Sequence, residues 1–444
     1  MPYTNKKIAV LGAGESGEAA AALLKEEGAM ITILDTAEEN KLRKKIDALG
    51  TQGIRVIAGI AAEYESAHAR FDLSVLSPGI DPAVPLVQNF IKRRIEMIGE
   101  LELAFEMCAC PIIGITGTNG KTTTTQLVEK MLNACGVKTL AAGNIGPAFS
   151  ARVRQSKELD VMTLEISSFQ LESIRRFHAQ TTVWLGFAPD HLDRYHSLEE
   201  YYAAKIRIFE NQTAEDWAIV NFRDKLPELV ARKITFSAYA SGADFELREG
   251  VIFFRGERVL ALAETKLRGL HNAENLMAAL GVGFVRGLGF EAMAAPLREY
   301  QPLPHRCEPI RTLDGVEYVN DSKGTNPDSV EKALASETRP VVLIAGGKDK
   351  GFEYDALTEL VAQKCRAVVV LGEMADRIEA LWKDRVQVAN AGWSLERAVQ
   401  LSRDIAVPGD VVLLSPGTSS FDMFKNYADR GNQFRALVNA LTAK

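Results

Sequence analysis

The chain has 444 residues, of which 47% are hydrophobic and 25% charged, and its formal net charge at pH 7 is −6. That length suits two to four domains with their own cores, and the acidic balance without a dense Lys/Arg run argues against a nucleic-acid partner. No apolar run reaches the ~20 residues that cross a bilayer, so we expect no membrane partner.

Strand and helix signals alternate over residues 1–98, which predicts a first domain of Rossmann type. Strands are predicted at 7–11, 30–34 and 71–76, with a helix at 17–27. The motif Gly12-Ala-Gly14-Glu-Ser-Gly17 follows the first strand, and Asp35 comes about 20 residues later. Such a turn binds a diphosphate, so NAD and a UDP-sugar both remain open as ligands, as does a tight turn without any ligand.

A second α/β domain is predicted over residues 99–301, and it opens on a phosphate-binding loop. An apolar strand at 112–115 runs into Gly117-Thr-Asn-Gly-Lys-Thr-Thr123 and a helix at 122–135. Backbone N–H groups, a lysine and a helix N-terminus converge there on a phosphate. Ile115 replaces the first glycine of the usual pattern, so the loop indicates a nucleoside triphosphate held by a less common variety of P-loop.

Later strands of this domain end in polar residues. The strand at 161–164 is followed by Glu165, a candidate Mg²⁺ ligand, and the strand at 182–188 by Asp190-His-Leu-Asp-Arg194. We interpret His191, in the middle of that polar run, as functional. Residues 216–262 contain shorter strand signals, which predict an appended antiparallel portion.

Two further features of this domain each leave alternatives open. Lys205 lies on the apolar face of its own helix, where it either snorkels to solvent or stays buried as a neutral amine that reacts with CO₂. The resulting carbamate would be an oxygen ligand for a second metal. Asn272 and Asn275 share a helix face and suit an adenine edge, or else they cap the helix.

A stiff segment at 301–305 predicts a hinge before a third α/β domain at 302–444, with strands at 316–320, 341–345, 367–371 and 411–414. Three of these strands are followed by loops rich in Lys, Ser, Thr and Asp, at 320–326, 346–351 and 415–421. A rim with these cations fits an anionic ligand. The fold class is therefore predicted as α/β with three domains.

Taken together and in this order, the motifs resemble the Mur ligase family. They are Gly117-Thr-Asn-Gly-Lys-Thr-Thr123, Glu165-Ile-Ser-Ser-Phe-Gln-Leu-Glu172, Asp190-His-Leu-Asp-Arg-Tyr195, Lys205, His271-Asn-Ala-Glu-Asn275, Asn320-Asp-Ser-Lys323 and Leu414-Ser-Pro-Gly417. The resemblance extends over about 7–431. It implies an ATP-driven amide bond made through an acyl phosphate with release of ADP. Within the family the pattern is similar to members that join D-glutamate to UDP-N-acetylmuramoyl-L-alanine for peptidoglycan synthesis.

The resemblance also implies roles for individual residues. Catalysis falls to Lys121, Glu165, His191 and Lys205. Two Mg²⁺ sites are implied, the first at Thr122 and Glu165 and the second at His191 and a carbamylated Lys205. The ATP contacts are Gly117, Thr118, Asn119, Gly120, Lys121, Thr122, Thr123, Asn272, Asn275, Arg306 and Asp321. The substrate contacts are Gly14, Ser16, Asp35, Thr36, Gly79, Asn144, Lys323, Thr325, Lys350, Ser420 and Tyr427.

Two positions depart from the pattern of relatives. Ala37 stands where some relatives carry a basic side chain, and Tyr427 stands where a Phe can line the glutamate site. The first departure bears on the UDP contacts and the second on the binding of inhibitors.

We expect a cytoplasmic monomer that closes its domains on ATP across the hinge. The five cysteines are scattered and predict free thiols, and the chain runs into its first strand without a signal-peptide design. The nearest alternative is another Mur or folylpolyglutamate-type ligase with a different amino-acid acceptor. An NAD-linked oxidoreductase and a non-catalytic ATP-dependent switch are more distant alternatives. The first leaves the P-loop unexplained, and the second leaves the polar rim of the third domain unexplained.

Overall fold

The computed structural model describes residues 2–191 and 194–443, which form three β-sheets flanked by helices. The strands are β1 (Lys7–Leu11), β2 (Met30–Asp35), β3 (Arg55–Ala58), β4 (Leu73–Leu76), β5 (Met97–Gly99), β6 (Ile112–Thr116), β7 (Thr139–Gly143), β8 (Val161–Glu165), β9 (Thr181–Trp184), β10 (Trp217–Asn221), β11 (Arg232–Ser237), β12 (Phe245–Arg248), β13 (Val251–Phe254), β14 (Glu257–Ala261), β15 (Glu308–Leu313), β16 (Val316–Asn320), β17 (Val341–Gly346), β18 (Cys365–Leu371), β19 (Gln387–Asn390) and β20 (Val411–Leu414). The helices are α1 (Glu15–Glu26), α2 (Glu39–Thr51), α3 (Gly59–His68), α4 (Pro85–Lys92), α5 (Glu100–Phe105), α6 (Lys121–Ala134), α7 (Phe149–Arg152), α8 (Ser168–Leu171), α9 (Leu198–Ile206), α10 (Leu270–Val285), α11 (Phe290–Arg298), α12 (Pro327–Ser336), α13 (Thr358–Lys364), α14 (Ala375–Trp382), α15 (Leu395–Ile405) and α16 (Tyr427–Ala440).

The first sheet is parallel throughout and has the order β3-β2-β1-β4-β5. The chain leaves β1 toward one side of the sheet and later returns to its other side at β4, so a crevice opens between the ends of these two strands. The turn after β1 lies at this crevice. Gly12 has φ +105°, and a Cβ on Gly17 would lie 1.9 Å from the Gly12 carbonyl oxygen, so both positions require glycine.

The second sheet has the order β14-β13-β12-β11-β10-β9-β6-β8-β7. The prediction of an antiparallel portion over 216–262 is correct only for its end. β10 and β11 continue the parallel sheet beyond β9, and only β12, β13 and β14 pair antiparallel with one another. β6 lies between β8 and β9, so the P-loop opens at the centre of the sheet.

The third sheet has the order β15-β16-β20-β17-β18-β19, with β15 antiparallel at one edge and the other strands parallel. Its strands bury both faces, as the continuous apolar runs of β17, β18 and β20 require. The α/β class with three sheet units is confirmed, while the domain boundaries at 98 and 301 stay predictions. Within the described part of the chain, no helix combines the length and apolarity of a membrane span.

Candidate active site

Three neighbouring strands of the second sheet deliver polar residues to one cleft. The P-loop follows β6, Glu165 ends β8, and Asp190 and His191 follow β9. Because parallel strands share their carboxyl edge, these loops meet. Together with Thr325 and Lys350 from the third sheet unit, they line a cavity of about 830 Å³. The structure thus brings together at this edge residues as far apart in the chain as Thr118 and Lys350, which are 232 positions apart.

The P-loop is folded around two glycines with left-handed backbone. Gly117 has φ +145° and Gly120 has φ +87°, and a Cβ on Gly120 would lie 2.4 Å from the Asn275 side-chain oxygen. Lys121 Nζ donates to the carbonyl oxygens of Gly117 at 2.9 Å and Thr118 at 2.8 Å. Burial lowers the pKa of Lys121. The Thr122 side chain lines the cleft beside it.

Glu165 offers an unused oxygen to this cleft. The residue is 2% exposed, and its Oε1 accepts a 2.7 Å hydrogen bond from Asn144 Nδ2. Its Oε2 is buried without a hydrogen-bond partner. An unpaired buried carboxylate oxygen fits a cation. The described residues contain no cluster of three or more His, Cys, Asp or Glu side chains suited to hold a metal.

His191 and Lys205 both face the cleft, and the pKa of each is lowered. Burial lowers the pKa of His191 to about 4, although Asp190 opposes the shift. Lys205 is 1% exposed, donates from Nζ to the Gly117 carbonyl oxygen at 2.7 Å, and lies 4.9 Å from the Tyr201 ring centroid. Burial, followed by the charge of Lys121, holds the pKa of Lys205 well below its usual range. Snorkelling to solvent is therefore the wrong alternative for Lys205.

Asp190 joins the second sheet unit to the third. Its Oδ1 accepts from Lys350 Nζ at 2.9 Å and from the His191 N–H at 2.8 Å, and its Oδ2 accepts from Asn326 Nδ2 at 3.0 Å. Burial raises the pKa of Asp190, but the charges of His191 and Lys350 and these hydrogen bonds bring it down to about 2. The carboxylate is thus a fixed anion among cations. Asp193, in the same polar run, lies outside the described residues.

A second cavity, of about 580 Å³, continues from the P-loop toward the hinge. Of the predicted ATP contacts, it is lined by Asn119, Gly120, Thr123, Asn272, Asn275, Arg306 and Asp321. Asn275 Nδ2 donates to Asn272 Oδ1 at 3.1 Å, so the two amides are paired as their spacing suggested. Burial raises the pKa of Asp321 to about 6, against the hydrogen bond from Ser415.

The predicted glutamate contacts, together with Lys323, for which the resemblance implies a contact with phosphate or the nucleotide-sugar substrate, divide into two groups. Lys323, Thr325 and Lys350 line the cleft, and burial lowers the pKa of Lys323 to about 8. Tyr427 lies behind Lys323, with its ring centroid 3.8 Å from Nζ. Ser420 is 2% exposed and does not belong to the described residues that line the cleft.

The predicted UDP contacts lie apart from this cleft, at the crevice of the first sheet. Gly14 precedes α1, Ser16 is half-buried, and Thr36 and Gly79 are exposed. The Asp35 carboxylate already accepts hydrogen bonds from the backbone of the protein. Its Oδ2 accepts from the Ala13 N–H and its Oδ1 from the Ala37 N–H, both at 2.7 Å, so its first task is to shape the turn.

Several lining residues carried no predicted role. In the cleft they are Ser167, Ser168, Phe169, Asp190 and Asn326, and in the second cavity His271 and Lys332 are prominent. Asp190 was visible as part of a polar run after a strand, and His271 as the first residue of a motif. His271 Nδ1 is buried without a partner, and burial lowers the pKa of this ring to about 4. Nothing local in the sequence distinguished Asn326 from an ordinary helix cap.

Comparisons with known proteins cover nearly the whole chain. Family profiles described as the Mur ligase MurD-like N-terminal domain, the Mur ligase middle domain, and the Mur ligase glutamate ligase domain match residues 6–99, 115–283 and 305–417. The chain is 38% identical to a UDP-N-acetylmuramoylalanine–D-glutamate ligase of Alkaliphilus metalliredigens, covering 99% of both chains. It is 40% identical to a protein of that name from Trichlorobacter lovleyi, covering 99% of this chain and 100% of the relative.

Solved structures share the fold at lower identity. A pseudomurein peptide ligase type C from Methanothermus fervidus matches with a TM-score of 0.63 at 17% identity, covering 99% of this chain and 100% of that one. The MurF ligase of Thermotoga maritima, solved in complex with ADP, matches with a TM-score of 0.61 at 15% identity, covering 98% and 96%. At these identities the likeness establishes the fold alone.

Proposed function

The chain belongs to the Mur ligase family, and from this premise we propose that it is an ATP-dependent, ADP-forming ligase that joins D-glutamate to UDP-N-acetylmuramoyl-L-alanine. Relatives that bear the name of this activity are 38–40% identical over 99% of the chain. The product is a peptidoglycan precursor, and we place the enzyme in the cytoplasm as a monomer. The observation that carries the proposal is the cleft itself, in which a P-loop faces the cationic rim of the third sheet unit.

The charges of the cleft suit this reaction. Its lining carries Lys121, Lys323, Lys350 and Arg306 against the carboxylates of Glu165 and Asp190. Three anionic reactants, namely a triphosphate and two carboxylic acids, have to approach one another despite their repulsion. A preorganised excess of cationic groups compensates for that repulsion. A simple hydride-transfer site would not require it, which disfavours the oxidoreductase alternative.

The chemistry proceeds in two displacements. A carboxylate oxygen of the UDP substrate attacks the γ-phosphorus of ATP, and ADP leaves with the electron pair of the broken P–O bond. The amine nitrogen of D-glutamate then attacks the acyl carbon, phosphate leaves, and the amine loses a proton. Lys121 exchanges its bonds to the Gly117 and Thr118 carbonyls for phosphate oxygens in the first step. Lys350 and Thr325 hold the carboxylates of D-glutamate in the second.

The cleft also fits divalent cations and a modified lysine. Glu165 Oε2 and the Thr122 hydroxyl would hold one Mg²⁺, and His191 with a carbamylated Lys205 the other. Bound Mg²⁺ neutralises phosphate charge and stabilises the oxygens that change charge during phosphoryl transfer. The lowered pKa of the buried Lys205 amine supports the carbamate, because it favours the neutral amine, whose free electron pair on Nζ attacks CO₂ with release of one N–H proton.

Phosphate release tests the proposed function. The purified protein with ATP should release phosphate only when both UDP-N-acetylmuramoyl-L-alanine and D-glutamate are present. In an acceptor screen, D-glutamate should be preferred over L-glutamate, L-lysine and D-alanyl-D-alanine. Lys121→Ala should abolish release and weaken nucleotide binding, while Lys130→Ala, nine residues along the same helix, should retain both. Release that is indifferent to both substrates, or equal use of another acceptor, would overturn the proposal.

The carbamate has a separate test. Lys205→Ala should be inactive and should recover partial activity on addition of a small carboxylate that enters the vacated space. Full activity of the variant without any addition would rule out the carbamate while leaving the ligase reaction intact.

A further inference from the structure

Arg194 contacts both the first and the second sheet units. Its Nη1 donates to the Pro78 carbonyl oxygen at 3.0 Å, and its Nη2 donates to the Ile80 carbonyl oxygen at 3.4 Å. The same Nη2 donates to Glu172 Oε2 at 2.9 Å. Its side chain is 15% exposed, so these contacts form in a largely water-excluded place.

On the side of the first sheet, the guanidinium holds the loop that follows β4. Pro78 and Ile80 flank Gly79, which lies at the crevice proposed for the UDP substrate. Ile80 in turn packs on the glycine-rich turn, because a Cβ on Gly12 would lie 2.9 Å from Ile80 Cγ1. A ligand bound in this crevice would therefore fix the positions of the Pro78 and Ile80 carbonyl groups, which accept hydrogen bonds from Arg194.

On the side of the cleft, the same residue supports the loop that carries His191. The Arg194 N–H donates to the His191 carbonyl oxygen at 3.0 Å. The guanidinium stacks 4.1 Å from the Phe169 ring centroid, and that ring lies 4.8 Å from the His191 ring. Glu172, which accepts from Arg194, also accepts from the Tyr195 hydroxyl at 2.5 Å. His191 is thus held through one side chain that reaches both loops.

We propose that Arg194 is a positioning residue that couples occupancy of the UDP-substrate crevice to the orientation of His191 in the cleft. The inference rests on the proposed function, of which it specifies how the two sites communicate. Arginine suits the task because its planar fork donates in several directions at once, which the single ammonium of lysine does not reproduce. Binding at one site then changes affinity at the other by a reciprocal factor.

Calorimetry measures the factor by which the UDP substrate changes the affinity for the nucleotide. The affinity of Mg²⁺ and a non-hydrolysable ATP analogue is determined with and without UDP-N-acetylmuramoyl-L-alanine. In the wild type we expect the UDP substrate to tighten nucleotide binding by about fivefold or more, the lower end for coupled sites. Arg194→Ala should reduce this factor to about one and lower kcat/KM for the UDP substrate by about tenfold, as expected for the loss of charged hydrogen bonds. Arg194→Lys should fail to restore the coupling.

A matched control separates coupling from simple docking of the two units. Arg154 of the second unit pairs with Glu26 and Glu27 at the C-terminal end of α1 in the first unit, away from both loops. Arg154→Ala should therefore keep the coupling factor and the KM for the UDP substrate. If Arg194→Ala does not fold, Arg194→Lys and Glu172→Gln report on the same contacts.

The outcomes are distinct. A wild-type factor of one, or an unchanged factor in the folded Arg194 variants, overturns the inference and leaves the ligase reaction in place. Loss of coupling in Arg154→Ala to the same degree also overturns it, because docking alone would then explain the effect. A wild type that releases no phosphate with D-glutamate overturns the proposed function, whatever the binding data give.

Discussion

Replacing Asp190 by Asn tests whether the link between the second and third sheet units prepares the site for D-glutamate. The substitution keeps the shape of the side chain but removes its charge. Lys350 Nζ, now 2.9 Å from a carboxylate oxygen, would face only a neutral group, in a cleft that also holds Lys121 and Lys323. The Asn326 amide loses its charged partner as well. We expect Lys350 to leave the position from which it holds the amino-acid substrate.

The pKa of Asp190 gives the magnitude. It falls from the usual 3.8 to about 2, and at about 1.4 kcal/mol per unit the charged form is favoured by about 2 kcal/mol, or on the order of sixtyfold. Because the folded pKa is depressed, this contribution is complete above about pH 4 and is lost only as the pH falls through about 2. At neutral pH the parts from Lys350 and Asn326 remain, whereas His191, with a pKa of about 4, is then uncharged. Since Lys350 shares it with His191 and Asn326, we expect kcat/KM for D-glutamate to fall by about tenfold to sixtyfold.

The assay is phosphate release at neutral pH with D-glutamate varied and both other substrates saturating. Solution scattering of the same variant with ATP should show a more open particle than the wild type. Asp244→Asn is the control, because Asp244 also binds an arginine, Arg255, but at the far end of the second sheet. Its kinetics should match the wild type. A value of kcat/KM for Asp190→Asn within about twofold of the wild type, with an identical scattering profile, would refute the reasoning.

Three other predictions concern single carboxylates. Asp321→Asn should increase the free energy of unfolding at pH 8 by up to about 3 kcal/mol and therefore raise the melting temperature. The reason is that burial raises the pKa of Asp321 from 3.8 to about 6, so the wild type loses stability as the pH rises through that range. The gain should vanish near pH 4, and a gain of equal size there would contradict the assignment. Glu165→Gln should raise the Mg²⁺ concentration for half-maximal phosphate release by about tenfold or more, and an unchanged titration would exclude it as a ligand. Glu102→Gln should cost about 2–4 kcal/mol in urea unfolding, since its carboxylate accepts three backbone N–H bonds from residues 175–177. An unchanged midpoint would count against that estimate.

Much of the fold could be predicted because its signals are local. The apolar runs at 316–320 and 411–414 are β16 and β20, and the helix after the P-loop buries Leu127, Val128, Met131 and Leu132 on one face as its periodicity predicted. The antiparallel interpretation of residues 216–262 was wrong for β10 and β11. Strand direction within a sheet depends on which neighbour a strand pairs with, and that neighbour, β9, is more than 30 residues away.

The state of Lys205 shows the same limit at the site. Its helix periodicity placed it on an apolar face but left snorkelling and burial open. The structure decides for burial because the Gly117 carbonyl, 88 residues earlier in the chain, accepts its hydrogen bond and Tyr201 covers it. For Ser420 the resemblance implied a substrate contact, and the structure adds that the residue is 2% exposed, so its role stays a prediction.

The sequence by itself determined the three α/β units, the P-loop, the polar ends of the strands and the family whose motifs they form. These follow from backbone preferences and hydrophobic periodicity over a few residues, and from motifs whose chemistry is local. Only the tertiary structure decided that Asp190 meets Lys350 across 160 positions and that Arg194 meets Pro78 across 116. Contacts of this kind depend on how whole sheets pack against one another, and no short stretch of sequence encodes that packing.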